Sequence, residues 1–240
     1  MKNILVLLLV LTSFVTAQPN IIYINADDFG VMDVGFNNSK YRTPNIDRLR
    51  AEGILFTNAY APASNCAPSR ACVFSGQYGP RHGVYTVGTS ARGQAKDRKL
   101  VPIKNTVHLA PEIETLSEVL QAGGYRTIHL GKWHLGMDPT EQGFDVNIGG
   151  YNMGSPKGGY YLPIQSQAKV AEFNDDYPAG THIADVFADQ AVRFIRSHRE
   201  EPFFVHMAYY LIHTPLQAVP GMVDKYGGRM NRWAIYASMV

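Results

Sequence analysis

Four short clusters in this sequence hold side chains that do chemistry when they are brought together: Asp27-Asp28, Cys66 with Pro68 and Arg70, Lys132 with His134, and His213. Adjacent carboxylates repel one another unless a cation or several donors neutralise them, so Asp27 and Asp28 suit a hard, oxygen-seeking ion such as calcium or magnesium. The same pair also occurs in plain solvated turns, and alone it decides nothing. Cys66 stands just ahead of Pro68-Ser69-Arg70, where a helix is expected to open. A thiol there lies beside the positive end of the helix and near the Arg70 cation, a setting that either activates a thiolate or holds a structural cysteine. Lys132 offers a point cation, and His134 and His213 offer switchable donors. Gathered in one place, the three describe a site that handles an anion.

The chain has two cysteines, and a disulfide is the first reading for an exported protein. Cys66 and Cys72 would close a very small loop, however, from different faces of the expected helix. Cys72, followed by Val73 and Phe74, reads as a small buried hydrophobe. That leaves Cys66 without a structural task.

The elements that must position these groups follow from the apolar pattern. Asn20 to Asn25 is a short apolar run bounded by Pro19 and the aspartate pair, as in a buried parallel strand. Thr43-Pro44 opens a helix that Gly53 stops, and Ile54 to Tyr60 is expected to be the next strand. Thr115-Leu116-Ser117-Glu118 is a capping box for a helix ending at Gly123-Gly124. Tyr125 to Leu130 reads as a strand that delivers Lys132 and His134 at its end. An apolar stripe of Ile183, Phe187, Ala191, Phe194 and Ile195 marks a helix from about Thr181 to His198, and the strand Phe203 to Tyr209 leads to His213. A further helix is expected near Met230. Strands alternating with helices imply an α/β fold with a mostly parallel sheet, whose ligands gather beyond the carboxyl ends of the strands. The Gly- and Pro-rich stretches 76–105 and 143–180 read as excursions over that edge. Tyr151, Tyr160 and Tyr161 in the second of them either stack on sugars or pack the loop.

Residues 1–17, with Lys2, an apolar run from Ile4 to Val10, and Val15 and Ala17 at the spacing of a cleavage site, read as a secretory signal peptide. The run is too short to span a bilayer, so a secreted or periplasmic protein without a stable membrane span is expected. Loss of Lys2 takes the formal charge from +2 to +1. That balance excludes a general electrostatic binder of nucleic acid or membrane surfaces. With 45% hydrophobic and 18% charged residues, 18–240 has the composition of one globular domain with a sizeable core.

In order along the chain, the clusters resemble the signature of the formylglycine-dependent sulfatases of the alkaline phosphatase superfamily. The resemblance runs through PNIIYINADDFG at 19–30, TPNIDRLRAEGILFTNAY at 43–60, CAPSRACVFSGQY at 66–78, GYRTIHLGKWHLG at 124–136, GFD at 143–145 and the segment 202–220. It implies a parallel sheet flanked by helices on both faces. It further implies that a maturation enzyme oxidises Cys66 to formylglycine, and that the hydrated aldehyde attacks the sulfur of a sulfate ester, with a sulfated carbohydrate or an aryl sulfate as substrate. By the same resemblance Asp27, Asp28 and residue 66 hold calcium, and Arg70 steadies the nucleophile and the metal carboxylates. Lys132 contacts sulfate oxygens, His134 bonds the diol, and His213 binds sulfate or acts on the leaving oxygen. Gln77 stands where many relatives have arginine. The family's distal Asp-Asn pair and second lysine have no counterpart up to Val240, so 18–240 is expected to be an incomplete catalytic domain. Phosphate or phosphonate ester hydrolysis, and a non-catalytic secreted protein, are the competing readings.

Overall fold

A computed structural model describes residues 18–164 and 168–240; the expected signal peptide lies outside them. Strands β1 (Ile21–Asn25), β2 (Arg126–Gly131), β3 (Val146–Ile148) and β4 (Phe203–Ala208) form one sheet in the order β1-β4-β2-β3. Every neighbouring pair is parallel. The helices are α1 (Pro44–Glu52), α2 (Cys66–Ser75), α3 (Gly79–His82), α4 (Leu116–Ala122), α5 (Ala168–Ala171), α6 (Ile183–Ser197) and α7 (Arg232–Met239).

The register divides the two central strands between two cores. Ile128 opposes Val205 and Leu130 opposes Met207. These side chains pack with Ile183, Val186, Phe187 and Phe194 of α6. On the other face Thr127 opposes Phe204 and His129 opposes His206. There Phe204 joins Ala67, Ala71 and Phe74 of α2, with Trp133 and Phe144. Helices thus cover both faces, as expected for a parallel sheet, and every residue of β4 is buried.

Local sequence explains the element ends. Thr115 forms the expected capping box with Glu118. The Thr115 and Ser117 hydroxyls also donate to the Gln142 carbonyl, tying α4 to the chain entering β3. Thr43 behaves differently from a helix cap: its hydroxyl donates to the Asp47 carboxylate and accepts from the Gly35 N–H. The helix expected from Pro68 starts two residues earlier, at Cys66 itself.

Two expectations are corrected. Ile54 to Tyr60 is not a strand; Ile54, Phe56 and Tyr60 are 84%, 75% and 86% exposed. Its branched and aromatic residues suit a pleated surface, but strand preference comes from packing against neighbours, and this segment has no ladder partner among the described residues. The stretch 143–180 is more than a surface excursion. It adds β3 to the sheet and buries Tyr160, Leu162, Ile164 and Val170 in the core beside α6.

Candidate active site

Because the strands run parallel, the segments following β1, β2 and β4 leave the sheet at the same edge. The first and third are fastened together, the Asp27 N–H donating to the Leu211 carbonyl at 2.7 Å and the Ile212 N–H to the Asp27 carbonyl at 2.5 Å. This holds Asp27 inward at 5% exposure. One of its oxygens accepts from Arg70 Nη2 at 3.2 Å and is also ion-paired with the Lys132 ammonium. Asp28 is turned the other way: its φ of 55° is left-handed, and its side chain is 62% exposed. The aspartate pair is therefore split between a buried ion-paired member and an open one.

Lys132 is fully buried directly after β2. Its N–H donates to the Ala208 carbonyl of β4 at 2.7 Å, and its own carbonyl accepts from Arg70 Nη1. Gly131 before it has a φ of 101°, and a Cβ there would collide with the Ala208 carbonyl oxygen. Only glycine lets β2 and β4 approach this closely at the point where Lys132 leaves the sheet. A buried ammonium and guanidinium sharing one carboxylate leave a net positive charge, which favours an anion beside them.

Cys66 is the first residue of α2, half-buried and free, so no disulfide joins it to Cys72. Its Sγ lies 3.5 Å from His134 Nδ1. Cys72 is buried, 3.3 Å from His82 Nε2, and burial pushes its thiol up. Cys66 lies on the wall between two cavities. One, of about 730 Å³, is lined by Asn25, Asp27, Asp28, Ser69 and Arg70. The other, of about 490 Å³, is lined by His108, His134, Asn152, Ser155 and His213.

His134 is also left-handed, at φ 64°, and its N–H donates to the Tyr151 carbonyl. Burial first, and then the Lys132 and Arg70 cations, push its imidazole down to about 4. It is therefore neutral at neutral pH and keeps a lone pair for a proton. Gly154 leaves room for the ring: a Cβ there would meet the imidazole. His213 sits at the rim with Nδ1 2.7 Å from the Thr214 carbonyl and Nε2 3.9 Å from Asp28. Tyr160 secures that loop, its hydroxyl lying 3.0 Å from the Tyr210 carbonyl and 2.6 Å from that of His213. Tyr160 is fully buried and offers no stacking face to a sugar. Tyr161 and Tyr151 are partly buried, packed against the same core.

All seven residues singled out by type and spacing reach this edge, five of them in two tight groups: Asp27 with Arg70 and Lys132, and Cys66 with His134. Asp28 and His213 meet at the rim. Sequence reasoning passed over Gly154 and the supporting role of Tyr160. The change to left-handed backbone at His134 carries no local signal such as glycine. As to a metal, Asp27 and Asp28 fit a hard cation in kind but fall short in number. Calcium takes about six to eight oxygens, and the described residues contain no group of three His, Cys, Asp or Glu arranged to hold an ion.

The family model for sulfatases matches residues 19–235. The chain belongs to the sulfatase family. It is 32% identical over 224 residues to mouse N-acetylgalactosamine-6-sulfatase, covering 83% of this chain and 41% of that one. It is 31% identical over 235 residues to mouse arylsulfatase J, covering 90% and 36%. This sulfatase chain thus spans well under half the length of the curated relatives it matches. Among solved structures it resembles that of Ps i-CgsB in complex with k-i-k-neocarrahexaose. The TM-score is 0.71 and the identity 30%, over 92% of this chain and 51% of the other. A structure in complex with its substrate D-glucosamine-2-N,6-O-disulfate matches 89% of this chain, with a TM-score of 0.66 and 25% identity.

Proposed function

We propose that this chain carries the nucleophile and anion-binding groups of a sulfuric ester hydrolase that releases inorganic sulfate from a sulfated carbohydrate or an aryl sulfate. The observation that carries the reading is the placement of Cys66 on the walls of two cavities, facing a neutral imidazole, on the same helix as Arg70, whose buried guanidinium shares Asp27 with the buried Lys132. Oxidised to formylglycine and hydrated, residue 66 supplies a geminal diol, with one hydroxyl to attack sulfur and a second whose deprotonation expels sulfate. Asp27, Asp28 and the residue-66 oxygen are part of the oxygen set that a calcium ion would need; completed by donors beyond these three, such an ion would supply Lewis acidity to the attacking hydroxyl.

The chain's own groups divide the remaining work. Lys132 and Arg70 give the sulfate oxygens fixed positive charge that needs no rearrangement as the transition state forms. His134, neutral and 3.5 Å from the residue-66 side chain, takes the diol proton when sulfate departs. His213, on the wall of the 490 Å³ cavity, donates to the leaving oxygen as the alcohol is released. The sugar lies in that second cavity, against His108, Asn152 and Ser155. Export, through residues 1–17, brings the protein to sulfated polysaccharide. No described helix is long and apolar enough to cross a membrane.

Co-expression with a formylglycine-generating enzyme tests the reading. Intact mass is expected to fall by roughly 18 Da at Cys66, and the product to release sulfate from sulfated sugars faster than phosphate from matched phosphate esters. Modification without sulfate release would defeat the proposal, and a reversed ratio would move it to phosphate or phosphonate esters.

A further inference from the structure

We propose that the buried pair His129 and His206 is a positioning device for Lys132, a one-directional hydrogen-bond relay that pins the peptide carrying the lysine. The two histidines face one another in register across β2 and β4, 0% and 1% exposed. Their Nδ1 atoms are 2.9 Å apart, and His129 Nε2 lies 3.0 Å from the Gly131 carbonyl oxygen. A carbonyl only accepts, so His129 carries its hydrogen on Nε2. Neutral His129 then has a bare Nδ1, and the hydrogen between the rings belongs to His206. That leaves His206 Nε2 as a bare acceptor, and it is this atom that lacks a partner among the described residues. Rings of Tyr23, Phe74, Phe144 and Trp133 surround the pair. Burial there holds both imidazoles neutral.

Two polar rings in such a setting are costly compared with hydrocarbon of the same volume, unless their hydrogen bonds do something hydrocarbon does not. Here they fix the Gly131–Lys132 peptide. Its oxygen is held by His129 and its N–H by the Ala208 carbonyl, while the next carbonyl is held by Arg70. Gly131 at φ 101° has no Cβ to resist rotation, so the peptide needs these contacts to hold one orientation. The lysine is thereby aimed at Asp27 and the anion site without either histidine touching a substrate.

The catalytic meaning of the relay rests on the proposed sulfate chemistry, but its geometry is measurable without turnover. Ring-nitrogen NMR of the folded chain at neutral pH is expected to show His129 protonated at Nε2 only and His206 at Nδ1 only. The opposite tautomer, or a charged ring, overturns the proposal. His129→Phe and His206→Phe keep ring volume and remove the relay; His129→Gln and His206→Asn return a donor near the lost nitrogen. The Phe variants are expected to move the Lys132 amide resonance and weaken binding of inorganic sulfate about tenfold, and the amide variants to restore most of it. With the matured enzyme, kcat on an aryl sulfate should fall about tenfold while KM stays within about threefold. Folded Phe variants with unchanged Lys132 resonance and sulfate affinity overturn the relay. If a Phe variant does not fold, the ring tautomers of the unaltered chain decide. Movement of the Lys132 resonance in a protein that hydrolyses no sulfate ester would keep the relay and discard the proposed reaction.

Discussion

The two faces of the sheet are built from the same strands yet on different terms. Toward α6, β2 and β4 present Ile128, Leu130, Val205 and Met207, which pack into one hydrophobic cluster. Toward α2 they present Thr127, His129, Phe204 and His206, and there the Thr127 hydroxyl, both His129 ring nitrogens and His206 Nδ1 are committed to particular partners. The first face stabilises by excluded water and filled volume, which any well-shaped hydrocarbon can supply. The second fixes orientation, because a hydrogen bond in a low-dielectric interior is strong when made and costly when missed. The reactive groups emerge from that second face: α2 starts with Cys66 and supplies Arg70, and Lys132 leaves β2 at its edge. The sheet thus separates what must be stable from what must be aimed.

Substitutions can break this division. The largest effect is expected from Cys66→Ala, which should lower sulfate release by about 10⁴-fold or more. The melting temperature should hardly move, since the thiol is half-buried and makes a single polar contact, with His134. A large loss of fold stability would mean that Cys66 is structural after all. Phe187→Ala on the other face should do the reverse. Phe187 is 1% exposed and packs beside Gly131 and Gly149. Its truncation should cost about 3–5 kcal/mol in denaturant unfolding, with kcat changed only if the β2 end shifts.

Acid should separate the faces next. Burial holds His129 down at about 3 and His206 well below the ordinary range. The unfolded chain therefore binds more protons than the folded one below pH about 6.5, and stability that is full above that value falls as the pH descends toward 3. Each imidazole contributes a slope of up to about 1.4 kcal/mol per pH unit. Denaturant midpoints between pH 7 and 4 should flatten in the folded His206→Phe variant relative to the parent. An unchanged slope would assign the acid sensitivity to His82, His134 or His182, which burial also pushes down. The smallest effect should come from Thr115→Ala, which removes one cap bond from α4 and a contact to the Gln142 carbonyl. About 1–2 kcal/mol of stability should be lost, with little change in sulfate release.

Much of the site was legible because its residues sit at strand ends and helix starts that have local signatures. The capping box at Thr115, the apolar stripe of α6 and the runs of β1, β2 and β4 each follow from spacing alone. Parallel strands then place Asp27, Lys132 and His213 on one edge. The misreading of Ile54 to Tyr60 has the same origin as the successes. A β-like pattern states what a segment could pack, and only a neighbouring strand decides whether it does. β3, three residues long and with only its last residue buried, was too short to stand out.

The sequence by itself determined the chemistry available here: a cysteine at a helix start, an aspartate pair, and a lysine and two histidines carried by strands, in an order that resembles one family. Tertiary structure decided how those groups are used. It split Asp27 from Asp28 by turning one backbone left-handed, and it buried Lys132 against a carboxylate 105 positions away. It also brought His129 to His206 across 77 positions of chain. These outcomes depend on packing between distant elements, where burial magnifies charge and hydrogen bonding, and no local pattern of residues encodes that environment.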